Sequence, residues 1–357
     1  MKKFNRILCL ILVLFLAACG NSTQSTNNVT TGANGSNSSN QEKYVLRLAH
    51  GYPTASFMHT FVEWYNEEIQ KRSDGRLSLE IYPTAQLMPV DQEVPAILQG
   101  QIDMSQTSSP VLASFDPIWN FYELPFLFDF DPKNPSVFLE NRMKFNSSEN
   151  GGQKFAKMME EKGLKILSLS FVDMFGSVYT ADADNLITGP ASAKGLKLRT
   201  PGGIIGPETV KAIGANGMTI AAAEVVPALQ QKTVDGVLTT PIYASDAMMP
   251  LKSVSLVPLF SSVTPLIISQ KKFESLPEDL QEILIQTGKD LEEHAKKMVE
   301  EKAKTAYANL EKEGVKIYYP TEKEIKEWEN ATNPVKEVFV NKVEGGKELL
   351  DELTNLK

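Results

Sequence analysis

Arg199 is the residue whose type and setting best fit the binding of a small anion. It lies in the segment KGLKLRTPGG at residues 194–203, where Leu196 and Leu198 alternate with charged residues as in a short β-strand. The Pro-Gly-Gly that follows ends the strand. In open α/β sheets small ligands bind beyond the carboxyl ends of strands, where a guanidinium can present its planar fork to a carboxylate. We therefore predict that Arg199 captures an organic acid; the alternative is an arginine solvated at a strand end.

Polar residues at other predicted strand ends extend this candidate site. Thr239 ends a predicted strand at residues 234–238, so its side chain should share a sheet edge with Arg199. His50 begins the loop after the first predicted strand, and Ser108 lies in a hydroxyl-rich run beyond the third, which is also compatible with a plain loop. The predicted substrate-binding residues are Arg199, Thr239, His50, Ser108, Tyr179 and Tyr243.

Composition excludes several other functions. The chain has 357 residues, enough for two domains, and 42% of them are apolar. A net charge of -8 argues against a nucleic-acid partner, so an anion would need a local, focused positive site. Both cysteines, Cys9 and Cys19, lie near the N-terminus, and three histidines without ligand spacing give no metal site, so no cofactor is implied. No Gly-x-Ser-x-Gly elbow or Ser-His-Asp pattern appears, so we do not predict an enzyme.

The N-terminus has the features of an exported lipoprotein. A basic start precedes a twelve-residue apolar run at residues 7–18, which is too short to span a bilayer and reads as a signal peptide. The sequence Leu-Ala-Ala-Cys-Gly at its end resembles a lipobox, which predicts a signal peptide at residues 1–18 and lipidation of Cys19. Residues 19–42, rich in Asn, Ser, Thr and Gly, are predicted to form a flexible tether above the membrane.

The rest of the chain alternates predicted strands and helices, which is typical of an α/β fold with parallel strand pairs. The first series places strands at residues 44–49, 77–81 and 102–104, with helices at 56–72 and 90–99 between them. The second series places strands at residues 165–170, 196–199 and 234–238, with helices at 207–214 and 221–231.

Residues 274–313 form the longest predicted helix. From the helix-start signal at residues 277–279 to Gly314 it would contain about 35 residues and be about 50 Å long, more than one lobe can cover. We predict a strut that contacts both lobes. A coiled-coil arm is the rival, but the apolar stripe keeps no sustained heptad.

Several short segments, in this order and spacing, resemble the extracytoplasmic solute receptors of tripartite ATP-independent periplasmic (TRAP) transporters. The resemblance covers about residues 44–339. The segments are IYPTAQL at 81–87, GQIDM at 100–104, KGLKLRTP at 194–201, EV at 224–225, ALQ at 228–230, VDG at 234–236, LPEDLQ at 276–281 and EKEGVKI at 311–317.

The resemblance implies a two-lobed clamshell with mixed sheets and one long helix across both lobes. Lobe I would comprise residues 43–173 and about 265–304, and lobe II residues 174–264 and about 305–345. It also implies that Arg199 forms a bidentate salt bridge with a substrate carboxylate. A receptor of this kind delivers its solute to an ion-gradient-driven integral membrane permease.

This chain departs from the family pattern at several positions. Where many members have a Gly-x-Arg that supplies a second cation, it has Gly176-Ser177-Val178, and Thr239 replaces an amide that bonds the ligand. With one cation, the resemblance favours a monocarboxylate. A sensory lipoprotein that presents the same kind of solute to a membrane receptor is the alternative function, and an ABC-type binding protein matches poorly.

Overall fold

The computed structural model describes residues 42–356 except 132, 133, 135 and 172, and only the backbone of residue 223. The predicted signal peptide, tether and lipidated Cys19 therefore lie outside the described residues. The strands, in chain order, are β1 (Tyr44–Ala49), β2 (Leu77–Tyr82), β3 (Met104–Gln106), β4 (Leu164–Ser168), β5 (Gly176–Thr180), β6 (Lys197–Thr200), β7 (Asn216–Thr219), β8 (Gly236–Thr239), β9 (Ser253–Phe260), β10 (Leu266–Ser269) and β11 (Lys316–Tyr318).

The first sheet has five strands in the order β2-β1-β3-β10-β4. Strands β1, β2 and β3 pair in parallel, as the alternation of strand and helix predicts, whereas β10 runs antiparallel to both its neighbours. Leu46 and Leu48 of β1 are fully buried, since alternate side chains of a strand point to the same face.

The second sheet has six strands in the order β11-β9-β5-β8-β6-β7. Strand β6 lies between β7 and β8 and pairs with both in parallel, while β5 is antiparallel to β8 and β9. Each sheet is thus mixed, and the chain passes between them after β4, after β9 and after β10.

Helices cover the faces of both sheets. They are α1 (Phe57–Arg72), α2 (Glu93–Leu98), α3 (Ser109–Leu112), α4 (Ser136–Ser147), α5 (Gly152–Glu160), α6 (Ile205–Ala212), α7 (Val225–Gln230), α8 (Pro241–Asp246), α9 (Gln270–Glu274), α10 (Glu278–Lys312), α11 (Glu322–Thr332), α12 (Pro334–Lys342) and α13 (Gly346–Leu356). Ser56 caps α1 by accepting a hydrogen bond from the backbone N–H of Met58, and basic residues close its last turn.

The long helix α10 contributes to the cores of both lobes, which confirms the predicted strut. Leu284 and Leu291 pack in the core of the first sheet, whereas Leu310 packs with Val254 of β9 in the core of the second. The helix lies so close to the first sheet that a Cβ on Gly288 would fall 1.9 Å from the carbonyl oxygen of Leu167. The fold is therefore a two-lobed α/β clamshell with one helix across both lobes.

The predicted third strand is shifted by two residues. Residues 102–104 were expected, and the strand is Met104–Gln106. Asp103 explains the shift, because its carboxylate accepts the backbone N–H of Arg47 at 2.8 Å and so takes the place of a ladder hydrogen bond. Within residues 42–356, apart from the gaps given above, no helix has the length and apolarity needed to cross a bilayer.

Candidate functional site

Arg199 lies near the carboxyl end of β6, in the second sheet. Register places it beside Val237 of β8 and Met218 of β7, so strands flank it on both sides. Its side chain is only 6% exposed, and its Nε donates a hydrogen bond to the carbonyl oxygen of Ile220 at 2.9 Å. Among the described residues no acidic side chain forms an ion pair with Arg199. The guanidinium is thus oriented by one backbone contact and left without a counter-charge.

Burial changes the electrostatics of this guanidinium. Loss of solvation lowers the pKa of Arg199 to about 10, while the nearby Tyr243 acts in the opposite direction. Arg199 therefore remains protonated at neutral pH. A buried cation without a partner is energetically costly, so the site favours an anion that can supply both opposite charge and acceptor atoms.

Thr239 and Tyr243 lie on β8, the strand next to Arg199, and on α8, the helix that follows it. Thr239 is the last residue of β8, two positions beyond the partner of Arg199, and its side chain is buried. Tyr243 lies in α8, immediately after this strand, and its hydroxyl donates to the carbonyl oxygen of Ala222 at 3.1 Å. Burial raises the pKa of Tyr243, and the Arg199 charge opposes that rise. The structure thus brings these three predicted residues together at one sheet edge.

Asp173 holds the start of α8 in place. Its carboxylate accepts backbone N–H bonds from Met174 at 2.8 Å, Ile242 at 3.2 Å and Tyr243 at 3.0 Å. Burial raises the pKa of Asp173 to about 7, and these hydrogen bonds act against the rise. Because Asp173 lies between the lobes, it ties Tyr243 to the segment that joins the two sheets.

Tyr179 is placed differently from the other predicted residues. It is fully buried in β5, within an apolar cluster that also includes Leu229 and Leu256. Its hydroxyl has no hydrogen-bond partner among the described residues, and burial raises its pKa well above the ordinary value. Its surroundings are those of a core residue of the second lobe.

His50 and Ser108 lie in the first lobe, at the carboxyl ends of neighbouring parallel strands. His50 follows β1, and Ser108 follows β3 and precedes α3. They are therefore at the edge where ligands of α/β sheets bind, on the lobe opposite Arg199.

Both ring nitrogens of His50 are already engaged. Nδ1 accepts the backbone N–H of Tyr52 at 3.1 Å, so the proton is on Nε2, which lies 3.0 Å from Nδ1 of His59. Nε2 of His59 in turn lies 3.4 Å from the Glu63 carboxylate. Burial, with a smaller contribution from His59, lowers the pKa of His50 to about 4, so this ring is neutral.

The loop after Arg199 touches the opposite lobe. The backbone N–H of Ile204 donates to the Asn120 side-chain oxygen at 3.0 Å. Gly203 has a φ of +87°, and a Cβ there would lie 2.8 Å from Asn120 Oδ1 and 3.0 Å from Glu123 Oε2. Only glycine fits this turn without displacing the neighbouring side chains.

The buried charged or acidic residues that reasoning from sequence missed include Asp173, Glu123 and Arg142. Glu123 is fully buried with both oxygens unpaired among the described residues, and burial raises its pKa well above the ordinary value. Each is an isolated residue without periodic neighbours, so no local pattern distinguishes it from a surface charge. Asp173 and Arg142 also form hydrogen bonds with distant parts of the chain.

Two cavities lie away from Arg199. One of about 900 Å³ is formed by α4, α5, β4 and α10, and one of about 450 Å³ lies between residues 125–130 and the helices α11 and α12. None of the predicted substrate-binding residues lines either cavity. Buried charge and a strand-end position bear directly on anion binding, and they indicate Arg199, not either cavity, as the candidate site.

Comparison with known proteins identifies the family. The profile of the family described as "Bacterial extracellular solute-binding protein, family 7" matches residues 48–342. The 2,3-diketo-L-gulonate-binding periplasmic protein YiaO of Escherichia coli is 26% identical over 308 residues, covering 85% of this chain and 90% of that protein.

Solved structures agree with the fold. A TRAP periplasmic solute-binding protein from Desulfovibrio salexigens with bound orotic acid has a TM-score of 0.78 at 20% identity, covering 88% of this chain and 98% of that one. A TRAP periplasmic solute-binding protein from Shewanella oneidensis with bound succinate has a TM-score of 0.75 at 18% identity, covering 88% and 99%. The chain belongs to the bacterial extracellular solute-binding proteins of family 7.

Proposed function

We propose that this protein binds a small organic acid outside the cell membrane and delivers it to the membrane permease of a TRAP transporter. The observation that carries the proposal is Arg199, a residue that is 6% exposed and whose guanidinium has no ion-pair partner among the described residues. The chain's family is one of extracellular solute-binding proteins, and the relatives described above are named for, or hold, acids.

The mechanism follows from the cost of burying a charge. When the lobes are apart, water solvates Arg199; when they close, that water is expelled and the cation needs a partner. A carboxylate supplies opposite charge and two acceptor oxygens that fit the guanidinium fork. The closed state is therefore stabilised only when the correct ligand is present, which is hinge closure by population shift.

We assign the predicted residues different parts in this mechanism. Arg199 binds the carboxylate, and Thr239 and Tyr243 line the site beside it. Ser108 would contact the solute from the first lobe. His50, whose two nitrogens bond within its own lobe, shapes the wall of the site, and Tyr179 supports β5 from the core. The lobe boundaries near residues 173, 264 and 304 belong to the same proposal.

The class of solute is a small carboxylate. The narrower prediction of a monocarboxylate assumed a single buried cation. The relatives described above are named for or hold 2,3-diketo-L-gulonate, orotic acid and succinate, so they do not favour one number of carboxylates.

We also propose that the mature protein is held at the outer face of the membrane by a lipid on Cys19. The support is the apolar run that ends in Leu-Ala-Ala-Cys-Gly, followed by a segment rich in Asn, Ser, Thr and Gly. This segment would let the receptor reach its permease while staying anchored.

Native mass spectrometry of the purified protein tests the function, because a closed receptor retains its solute. We expect a bound mass that is released on denaturation and contains at least one carboxylate. Uptake of that acid should be lost when the gene is deleted. Retained uptake together with loss of a transcriptional or chemotactic response would instead support the sensory role.

A further inference from the structure

Glu123 is a buried acidic residue that the proposed binding mechanism does not use. It ends the 3-10 helix Pro117–Glu123 of the first lobe, and the residue is 0% exposed. Neither of its carboxyl oxygens has a hydrogen-bond partner among the described residues. An ionised carboxylate at this position would lack both water and hydrogen-bond donors, so the surroundings favour the neutral, protonated acid.

The second lobe covers this carboxyl group with the loop between β6 and α6. A Cβ on Gly203 of that loop would lie 3.0 Å from Oε2 and 3.3 Å from Oε1 of Glu123. The backbone N–H of Ile204 donates to the side chain of Asn120, which lies in the same 3-10 helix as Glu123. Ile205, the first residue of α6, is fully buried in the core cluster of the first lobe. If the lobes separate, this loop leaves Glu123 and water reaches its carboxyl group.

No charged group offsets the burial of Glu123. Burial raises its pKa well above the ordinary value, and no other group of the described residues contributes to that pKa. The elements packed most extensively against the 3-10 helix are α3, α6, α12, α13 and β9, and of these α3 and β9 carry no titratable side chain. The titratable groups of the other three, and of the 3-10 helix beside Glu123, are Glu208, Lys211, Lys336, Glu337, Lys342, Lys347, Glu348, Asp351, Glu352 and Tyr122. Uptake of a proton is therefore what neutralises Glu123 when the lobes are in contact.

The direction of the proton transfer follows from the two states of the lobes. A glutamic acid in water has a pKa of about 4.3, so Glu123 is ionised near pH 7 when the lobes are apart. When they close, burial raises its pKa, and the carboxylate takes a proton from the solvent. Closure is thus favoured at low pH and weakens as the pH rises towards the closed-state pKa. The covering loop follows the strand that holds Arg199, so closing on a solute and burying Glu123 are one movement.

We propose that Glu123 is a proton-dependent latch between the lobes, which takes up one proton when they close on an acid, so that the solute is bound together with a proton. The inference rests on the proposed function and adds a means of regulating the same site. Acidification outside the membrane favours loading of the receptor, and a rise in pH favours release of the solute.

Calorimetry on the mature protein counts the protons. The probe is the acid recovered from the denatured protein or, if none is retained, the tightest binder among straight-chain carboxylic acids of two to six carbons. Titrations at pH 7 in buffers of different ionisation enthalpy should show uptake of about one proton for each acid bound. The affinity should fall about tenfold between pH 6.5 and pH 7.5, as expected for one linked proton.

Variants of Glu123 separate a latch from a merely structural role. Glu123→Gln cannot ionise, so it should bind the probe without net proton uptake and with an affinity that changes less than about twofold over this pH range. At pH 7.5 it should bind at least about tenfold more tightly than the wild type, whereas loss of a structural contact would weaken binding. Glu93→Gln is the control, because Glu93 is a buried carboxyl group of the first lobe that bonds Ser105 of the same lobe. It should keep the proton uptake and the pH dependence of the wild type.

A wild-type affinity that does not change with pH, with no net proton uptake, would overturn the latch and leave the proposed function standing. Uptake that persists in Glu123→Gln would also overturn it, since the proton would then belong to another group such as Asp173. If Glu123→Gln does not fold, Glu123→Met, which is similar in size and cannot ionise, takes its place, and if neither folds the wild-type titrations decide alone. If no acid is retained and none of the panel binds, the proposed function fails as well.

Discussion

Nε of Arg199 donates a hydrogen bond to the carbonyl oxygen of Ile220 at 2.9 Å. This contact uses one edge of the guanidinium and fixes the plane in which the remaining N–H groups lie. Ile220 directly follows β7, the parallel neighbour of β6, so the sheet itself sets the direction of the charge. The orientation is therefore a property of the strand pairing and does not depend on a bound ligand.

Replacing Arg199 should weaken binding of the acid without unfolding the protein. We expect Arg199→Ala to reduce affinity for the retained acid by about 2 kcal/mol or more, the scale for removing one partner of a buried charged hydrogen bond. Arg199→Lys keeps the charge but loses the parallel pair of bonds, so its affinity for the acid should lie between those of the wild type and Arg199→Ala. Isothermal calorimetry measures both, with the surface variant Arg76→Ala as control. Wild-type affinity in Arg199→Ala would contradict the assignment.

Gly288 should be essential for docking α10 on the first sheet. Ala normally stabilises a helix by about 1 kcal/mol relative to Gly. Here a Cβ would lie 1.9 Å from the carbonyl oxygen of Leu167, so the helix would have to move away. We expect Gly288→Ala to lower the free energy of unfolding by about 1 to 3 kcal/mol in urea titrations. Glu282→Ala, at an exposed position of the same helix, is the control, and equal stability of the two variants would be evidence against the close approach.

The pH dependence of stability should be set by buried carboxyl groups. Burial raises the pKa of Glu93 to about 8 and that of Glu292 to about 7, above their unfolded values. Their stabilisation is therefore complete below the unfolded pKa, near 4, and is lost as the pH rises through 7 to 8. The pKa of His50 is lowered, so its contribution to stability is lost as the pH falls, and only below about pH 6.5.

Above pH 6.5 the buried carboxyl groups determine how stability changes with pH. We therefore expect the wild type to melt at a lower temperature at pH 8.5 than at pH 6.5. Glu93→Gln should remove about 1 kcal/mol of that difference, because its amide does not ionise. Calorimetry at both pH values checks this. A wild-type melting temperature that rises over this interval, or a difference that Glu93→Gln leaves unchanged, would show that Glu93 does not titrate in this range.

Cys19→Ala should release the protein from the membrane. Without the thiol no lipid can be attached, so the receptor should move from the membrane fraction to the soluble extracytoplasmic fraction. Metabolic labelling with a radioactive fatty acid measures the loss directly, and Cys9→Ala is the matched control within the leader. Continued labelling of Cys19→Ala would show that the lipid is attached elsewhere.

Sequence reasoning predicts elements best where local pattern and tertiary packing agree. Strand β1 and helix α1 show clear periodicity and have nearly the predicted bounds. Strand β9 is buried on both faces, so it shows no alternation of apolar and polar residues, and the sequence does not distinguish it from other apolar runs.

The residues of the site also differ in whether the local sequence predicts them. Arg199 is predictable because a local strand and a Pro-Gly-Gly stop place it at a sheet edge. Asp173 is not, because the backbone groups it bonds at Ile242 and Tyr243 come about seventy residues later. Arg142 likewise depends on Ser262, and its burial is visible only once the chain is folded.

The shared helix α10 restricts how the receptor can open. Lys302 of this helix forms an ion pair with Asp246 of the second lobe at 2.9 Å, and its amino group lies 5.9 Å from the Phe57 ring of the first. Because α10 packs in the cores of both lobes, it cannot slide along either of them. The two lobes should therefore open by rotating about this helix. Two spin labels, one on each lobe at the opening of the site, should move apart when the solute leaves. Two labels on α10 should keep a constant distance.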